Sequence, residues 1–236
     1  MATLVVAMSF TGKPPAKGSL VLCFDHYVGD RVLQLDTATY TNELGQAFTI
    51  SKFKYYIGNI AMQGADGGRV AFEDYHLVDE EDEQSKKIDL GHLPAGEYTG
   101  ITFTLGVDSI DNCSGAQSGA LDPVNAMFWA WNTGYIFLKM EGHSPMSNSP
   151  GHIFEYHIGG YRAPYNCIRH IALHFHQPLI VGASEMKELH IKTDAAEILK
   201  TPSTLDFSKL SSVTDFHNAT TIADNYADMF SMLSQK

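Results

Sequence analysis

The chain has 236 residues, of which 44% are hydrophobic, so it is long and apolar enough to form one large domain with a real core. Its formal net charge of −11 argues against the basic surface that nucleic-acid-binding proteins need, so no nucleic-acid partner is expected. No segment approaches the roughly 20 consecutive apolar residues of a membrane-spanning helix, so no transmembrane span is expected.

Residues 1–17 are interpreted as a leader, and residues 18–236 as a single domain. Leu4–Phe10 is a short apolar run followed by Pro14 and Pro15, which resembles the end of a secretory signal peptide. The run is short, however, and no basic residue precedes it. A remnant of a signal peptide and a disordered or strand-like leader therefore both stay open.

Alternating apolar and polar residues predict strands over the first three quarters of the chain. In the first of them, Leu20, Leu22, Phe24 and His26 share one face, as the period of two requires. The predicted strands are Ser19–Val28, Ala47–Ile60, Arg69–Val78, Tyr98–Leu105, Met127–Trp131, Tyr135–Glu141, His152–Ile158, Cys167–Gln177 and Glu188–Thr193.

Helix is predicted only near the end of the chain. Asp194–Lys200 is a short candidate, and Ala219–Leu233 is a better one because its apolar residues recur at helical spacing. These apolar residues are Ile222, Tyr226, Met229, Phe230 and Leu233. The pattern as a whole predicts a mainly β fold, a single β-sandwich or Greek-key-like domain with a short C-terminal helical tail.

One predicted strand, Cys167–Gln177, places His170, His174 and His176 on a single face. Residues two apart on a strand lie roughly 7 Å from each other. Two imidazoles at that spacing could hold one metal ion, since histidine suits copper and zinc. The spacing by itself favours the plainer alternative, a half-exposed strand whose polar face is rich in histidine.

The two tryptophans, Trp129 and Trp131, share a face if Met127–Trp131 is a strand. Aromatic residues in strands usually pack in a core, so core packing is the ordinary explanation and a redox or metal site is the alternative. In the segment HIFEYHIGG, His152 and His157 point to opposite faces of a regular strand, and a Gly-Gly pair follows, where backbone can approach a neighbour closely.

Signatures of common enzymes and of bound haem are missing from the sequence. There is no GxSxG elbow, Walker loop, HExxH or dinucleotide fingerprint, so neither catalysis nor a nucleotide cofactor is expected. The three cysteines, Cys23, Cys113 and Cys167, form no CxxCH, so no covalently attached haem is expected. A disulfide between two of them stays open.

Several segments together resemble the bacterial MbnP-like family, named for the partner protein found with methanobactin operons. The specific parts are the WxWxxGYxxxKxEG pattern at 129–142 and the FxxHIGG pattern at 154–160. FDHYVGD, FTISKFKYYIGNI, DYHLVDE and PAGEYTGITFTLGVD precede them in order, and IADNYADMF follows. The resemblance runs from about Leu20 to Phe230, and the family is related to the copper proteins MopE and CorA of methane oxidisers.

The resemblance implies a β-rich copper-binding protein that is periplasmic, outer-membrane-associated or secreted and serves in copper storage, delivery or uptake. In characterised relatives, a separate dihaem protein of the MauG type oxidises one tryptophan to kynurenine, and its amino group binds the metal with histidines. A MauG-like partner is therefore implied here too. The alternatives are an interaction protein of the same fold without a metal site and, more weakly, a small hydrolase or oxidase.

Carried onto this sequence, the resemblance makes Trp129 or Trp131 the candidate for modification and His157 the best-placed ligand. We expect the tryptophans on a central strand near His157. Further ligand candidates are His26 and His76 from the family pattern and His174 and His176 from strand spacing. A carboxylate or a carbonyl should hold the second nitrogen of each ligand, and the candidate carboxylates nearby in sequence are Asp108, Asp111, Asp122 and Glu155.

Overall fold

The computed structural model describes residues 16–129 and 134–233. Its strands are β1 (Lys17–Val28), β2 (Arg31–Val32), β3 (Tyr40–Thr41), β4 (Ala47–Gly64), β5 (Arg69–Phe72), β6 (His76–Asp79), β7 (Lys87–Pro94), β8 (Gly96–Leu105), β9 (Phe128–Trp129), β10 (Gly134–Tyr135), β11 (Leu138–His143), β12 (Ile153–Ile158), β13 (Arg169–Val181), β14 (Met186–Asp194), β15 (Ser212–Val213) and β16 (Phe230–Met232). The α-helices are α1 (Ser109–Cys113) and α2 (Ala219–Tyr226).

Two packed sheets enclose the core, which confirms the predicted mainly β domain with a short C-terminal helix. The smaller sheet has five strands in the order β16-β14-β1, with β7 and β2 along the other edge of β1. The larger sheet has nine strands, and β9 and β10 form a separate two-stranded ribbon. The predicted alternation in β1 holds, since Leu20, Leu22 and Phe24 are buried between the sheets.

The longest strand, β4, organises the larger sheet. The N–H of Tyr56 donates to the carbonyl of Phe137, and the carbonyl of Tyr56 accepts from the N–H of Gly106. Strands β8 and β11 therefore lie one after the other along the same edge of β4. The connection between them leaves the sheet at Gly106 and returns to it at Phe137, both opposite Tyr56. We call its described residues, 106–129 and 134–137, the covering segment.

The C-terminal tail differs from the predicted helix 219–233. The helix ends at Tyr226, and Phe230–Met232 is a strand antiparallel to β14. The physical reason is that β14 would otherwise be an edge whose backbone groups lack partners, and an added strand supplies them. The second predicted helix, Asp194–Lys200, is only a 3-10 turn at Glu197–Leu199.

Other elements differ from the predicted ones more locally. The predicted strand Arg69–Val78 is divided into β5 and β6, and β7 was not predicted. The predicted pairing of Met127–Trp131 with Tyr135–Glu141 is confined to the ribbon, because β11 starts only at Leu138 and belongs to the larger sheet. Trp129 is therefore not on a central strand, and Trp131 lies outside the described residues.

The termini and cysteines add three observations. The predicted leader 1–17 lies almost wholly outside the described residues and stays a prediction. Across the described ranges, none of the helices has the length and apolarity needed to cross a bilayer. Cys23 and Cys167 are buried and Cys113 is exposed, and all three are free thiols, so the disulfide left open by the sequence is not formed.

Candidate metal centre

The covering segment lies on the face of the larger sheet that points away from the core. Tyr55 points into the core, so Tyr56 points to the opposite face, where its ring lies edge-on to Tyr135 at 5.9 Å and its hydroxyl donates to the carbonyl of Ala120 at 3.0 Å. Buried Lys139 donates from Nζ to the carbonyl of Ala126 at 2.5 Å. Side chains of the larger sheet thus hold the covering segment against the outer face of that sheet.

Asn112 fastens the covering segment internally. Its Nδ2 donates to the carbonyl of Asp108 at 2.9 Å, and its Oδ1 accepts from the N–H of Tyr135 at 3.0 Å. The carboxylate of Asp108 caps α1, and that of Asp122 caps the 3-10 turn at Pro123–Asn125. Backbone N–H groups that begin each helical turn need such acceptors, so these two carboxylates are already engaged in shaping the segment.

Trp129 belongs to the covering segment and packs against the end of β12. It is 1% exposed, and its ring lies edge-on to Phe216 at 5.8 Å. Its six-membered ring packs on Gly159, where an added Cβ would lie 2.8 Å from Cζ3 and 2.5 Å from the carbonyl oxygen of Tyr135. Only glycine fits there, which gives the Gly-Gly pair of the FxxHIGG pattern a physical reason.

The indole nitrogen of Trp129 is unusual among the buried polar atoms. Nε1 is buried and has no hydrogen-bond partner within the described ranges. Buried polar groups are hydrogen-bonded in the large majority of cases, and leaving one unpaired costs about 1–3 kcal/mol. Among the described residues, Nε1 of Trp129 is thus a buried donor without an acceptor in an otherwise well-packed region.

His157 lies on the face of the larger sheet that the covering segment occupies, since it pairs with Lys139 of β11. Continuing the alternation of β12 by one residue puts Gly159 on the face of His157, roughly 7 Å along the strand. Nε2 of His157 lies 2.8 Å from Oε1 of Glu141, and the hydrogen bond lowers the pKa of Glu141. A neutral imidazole that donates from Nε2 has a free lone pair on Nδ1, the form that binds a metal.

His26 differs from a metal ligand because both of its ring nitrogens have hydrogen-bond partners. It is 3% exposed, with Nδ1 at 2.7 Å from Glu80 Oε2 and Nε2 at 3.0 Å from the hydroxyl of Tyr55. The same hydroxyl lies 3.0 Å from Oγ1 of Thr193. Both ring nitrogens are engaged in a buried chain of hydrogen bonds, so the structure gives His26 a role in joining the two sheets and leaves no nitrogen for a metal.

The histidines of β13 are far from His157. Through the strand pairings, His157 lies level with Lys54 of β4, and His174 lies level with Gln63. Nine residues of strand, from 54 to 63, span about 30 Å. His176 lies further along, in the irregular part of β13. Both are exposed, and neither can share one ion with His157.

His76 also stands apart. It is half-buried at the start of β6 and lines a cleft of about 450 Å³ with Asp79 and Asp82. Burial lowers its pKa, although Asp74 opposes the shift. Of the predicted site residues, the structure places Trp129 against Gly159, two residues beyond His157 on the same face. His174 and His176 lie far along the sheet, and His76 lies on β6, which pairs with the other edge of β4 from β11.

Three of the four carboxylates that were candidates to hold a histidine nitrogen have other partners in the structure. Asp108 and Asp122 cap helical turns, and Glu155 accepts a hydrogen bond from Ser212 at 3.1 Å. The carboxylates that hold histidines come from neighbouring strands or loops instead, Glu141 for His157 and Glu80 for His26. Closeness along the chain was a poor guide because hydrogen bonds in a sheet connect residues across strands.

The buried His26 makes stability depend on pH. Burial lowers its pKa below the ordinary value of 6.5, although Glu80 opposes this shift. The unfolded chain therefore binds a proton near pH 6.5 that the folded protein resists, and the free energy of unfolding should fall as pH drops below about 6.5. In the His26→Asn variant, which cannot titrate, this part of the loss should be missing from pH-dependent urea unfolding. Equal losses between pH 7 and pH 5 in both proteins would contradict the assignment.

Comparisons with known proteins establish the family and the fold of the chain. Residues 17–218 match the family model described as MbnP. Among solved structures, the chain is similar to MbnP from Methylosinus trichosporium, with a TM-score of 0.54 and 14% sequence identity over 81% of this chain and 80% of that chain. At that identity the likeness shows the shared fold alone. No curated protein gives a significant match. The resemblance expected from the sequence is confirmed, and the chain belongs to the MbnP family.

Proposed function

We propose that this protein binds copper as its cargo, without catalytic turnover, at a centre built from Trp129 and His157. The observation that carries the proposal is the buried Nε1 of Trp129, which has no hydrogen-bond partner among the described residues. The six-membered ring of the same indole packs on Gly159, two residues beyond His157. Membership of the MbnP family supports copper as the metal. Storage, delivery and uptake are the roles that such a protein would serve.

The imidazole of His157 is suited to copper. Its Nε2 is occupied by Glu141, so the lone pair on Nδ1 is the one that would bind the ion. A carboxylate behind a histidine ligand fixes the ring orientation and makes the nitrogen a stronger donor. Copper binds nitrogen donors more tightly than the other divalent first-row metals do, so an imidazole-containing site favours it.

The indole of Trp129 needs modification before it can bind a metal. Its N–H is a donor only and offers no lone pair. Oxidation by dioxygen or peroxide, delivered by a separate enzyme, cleaves the C2–C3 bond of the indole and adds one oxygen atom to each carbon, which gives N-formylkynurenine. Hydrolysis of the formyl group by water then releases C2 as formate and leaves kynurenine. The nitrogen becomes an aryl amine with a lone pair, at the position where the structure has an orphaned N–H. Trp131, the other candidate, lies outside the described residues.

The oxidation requires an oxidant and an enzyme to deliver it. The sequence has no CxxCH, so we assign this step to a separate dihaem protein of the MauG type. Phe216 contacts Trp129 and also lines an open cleft of about 340 Å³ with Gly160 and Tyr165. This cleft is the route by which the site would be reached. The proposed location is periplasmic, outer-membrane-associated or secreted.

Copper titration of variants made in the native host, where the modifying partner is present, tests the site. Wild-type protein should bind about one copper ion per chain, and His157→Ala should lose that binding. Glu141→Gln should weaken binding roughly 10–100-fold, because the group that orients His157 loses its charge. The matched control is Glu155→Gln, since Glu155 lies directly opposite Glu141 in register.

Two outcomes would decide against the proposed centre. Unchanged copper binding by His157→Ala would show that His157 is not a ligand. Equal weakening by Glu141→Gln and Glu155→Gln would attribute the effect to the general negative charge of the surface and would leave no specific role for the Glu141–His157 pair.

A further inference from the structure

Four side chains with metal-binding chemistry lie together on the smaller sheet, on the face that points away from the core. Strands β1 and β14 are parallel neighbours, and Cys23 lies opposite His190 in register. Asp25 follows Cys23 on its face, and Glu188 precedes His190 on the neighbouring strand. The sulfur of Cys23, a carboxylate oxygen of Glu188 and a ring nitrogen of His190 all lie within 4.8 Å of one another.

The imidazole of His190 is oriented as a ligand would be. Its Nδ1 lies 2.7 Å from Oδ2 of Asp25, and its Nε2 lies 3.7 Å from Oε2 of Glu188. Donation from Nδ1 to Asp25 leaves the lone pair on Nε2, directed toward Glu188. A carboxylate that holds the far nitrogen of a histidine is the usual arrangement behind a metal ligand.

We propose that Cys23, Glu188 and His190 form a second metal site, separate from the Trp129–His157 centre, for a divalent cation of the Zn²⁺ class. Sulfur, imidazole nitrogen and carboxylate oxygen are the three ligand types that Zn²⁺ takes, at bond lengths of about 2.0–2.3 Å. Water would complete the tetrahedron. The carboxylate disfavours Cu(I), which prefers softer ligands.

The geometry needs only a small adjustment to hold an ion. Ligand atoms on one tetrahedral zinc ion lie roughly 3.5 Å apart, given the bond lengths of such sites. The separations between the three ligand atoms are all within 4.8 Å, and the two residues that must approach, Glu188 and His190, are the exposed ones. Cys23 is buried and fixed by its strand, so it provides the rigid member of the set.

An ion can reach this cluster from solvent. Cys23 and His190 line a cleft of about 440 Å³ together with Asp25, Glu83 and Lys87. Lys87 lies opposite Cys23 on β7, and Lys86 lines the same cleft. Nζ of Lys86 lies 2.6 Å from Glu83 and 3.0 Å from Glu80, so these two carboxylates are already paired. The cluster therefore has an open approach, and Asp25 and Glu188 are the carboxylates beside it that Lys86 does not engage.

Titration of metal-free protein with Co²⁺, a spectroscopic substitute for Zn²⁺, tests the proposal. Wild-type protein should develop the near-ultraviolet absorption of a cobalt–thiolate bond, and Zn²⁺ should abolish it by displacement. The absorption should be absent in Cys23→Ser and unchanged in Cys113→Ser, a control that removes the exposed thiol. Binding should weaken roughly 10–100-fold in Asp25→Asn, which loses the group that holds His190.

Because Cys23 is buried, variants of the two exposed ligands test the site without depending on the folding of Cys23→Ser. His190→Ala and Glu188→Gln should fold normally and should weaken Co²⁺ binding as well. Absence of the absorption in folded wild-type protein would overturn the proposal, as would its persistence in Cys23→Ser. Glu141→Gln should leave the absorption unchanged, so the copper centre and this site can fail independently.

Discussion

Replacement of Phe230 by alanine is expected to lower the free energy of unfolding by about 3–5 kcal/mol, the usual cost of truncating a buried phenylalanine. Phe230 lies on β16 and is 6% exposed. Its ring lies edge-on to Phe103 at 5.0 Å, to Tyr55 at 5.7 Å and to Phe24 at 6.2 Å. It therefore joins the C-terminal tail to both sheets, and its removal leaves a cavity lined by three aromatic rings.

Ser231→Ala is the matched control, because Ser231 lies on the same strand and is exposed. Urea unfolding should give the control nearly the stability of the wild-type protein. Equal stability of Phe230→Ala and wild type would instead indicate that the tail is mobile in solution and docks elsewhere. Helix α2, which precedes β16, also contributes to docking of the tail. The hydroxyl of Tyr226 donates to the carbonyl of Cys167, and Nδ2 of Asn225 donates to the carbonyls of Ile198 and Ser203.

Gly159→Ala is expected to destabilise the protein by about 1–3 kcal/mol, as overpacking of a filled site does. The added Cβ would lie 2.5 Å from the carbonyl oxygen of Tyr135 and 2.8 Å from Cζ3 of Trp129. Relieving the first contact would shift the backbone of the ribbon, and relieving the second would displace the indole. Copper binding should weaken together with stability, because the packing on Gly159 positions the indole of Trp129 on the face of the sheet that carries His157.

Gly96→Ala is the control for this variant. A Cβ at Gly96 would meet no atom within 4 Å, so neither thermal unfolding nor copper binding should change appreciably. Wild-type stability and copper affinity in Gly159→Ala would show that the close approach of Trp129 to Gly159 has no importance for the site.

The sequence contained enough information for the fold class and for part of the site. The alternation of Leu20, Leu22 and Phe24 identifies a strand with one buried face, and the structure shows it. The FxxHIGG pattern singled out His157 and the glycines after it, and Gly159 proves to be where Trp129 packs. Both features depend on a local pattern whose physical meaning does not require knowledge of distant residues.

The remaining features depend on contacts between distant segments. Glu141 and His157 meet because β11 and β12 are paired in one particular register, and a sequence does not state its register. The stripe at Ile222, Tyr226, Met229 and Phe230 suits a helix, but the last of these residues is buried by pairing with β14. His26 was a ligand candidate from the sequence, but Glu80 and Tyr55, which are distant along the chain, occupy both of its ring nitrogens.

Intact mass and copper content, measured on protein purified from copper-replete cells of its native host, test the central claim most directly. The account predicts about one copper ion per chain, bound with the help of imidazole. It also predicts a mass change equal to the exchange of one carbon for one oxygen, located by peptide mapping to Trp129. Copper-free protein from such cells would contradict the claim that this chain carries copper, whatever its mass.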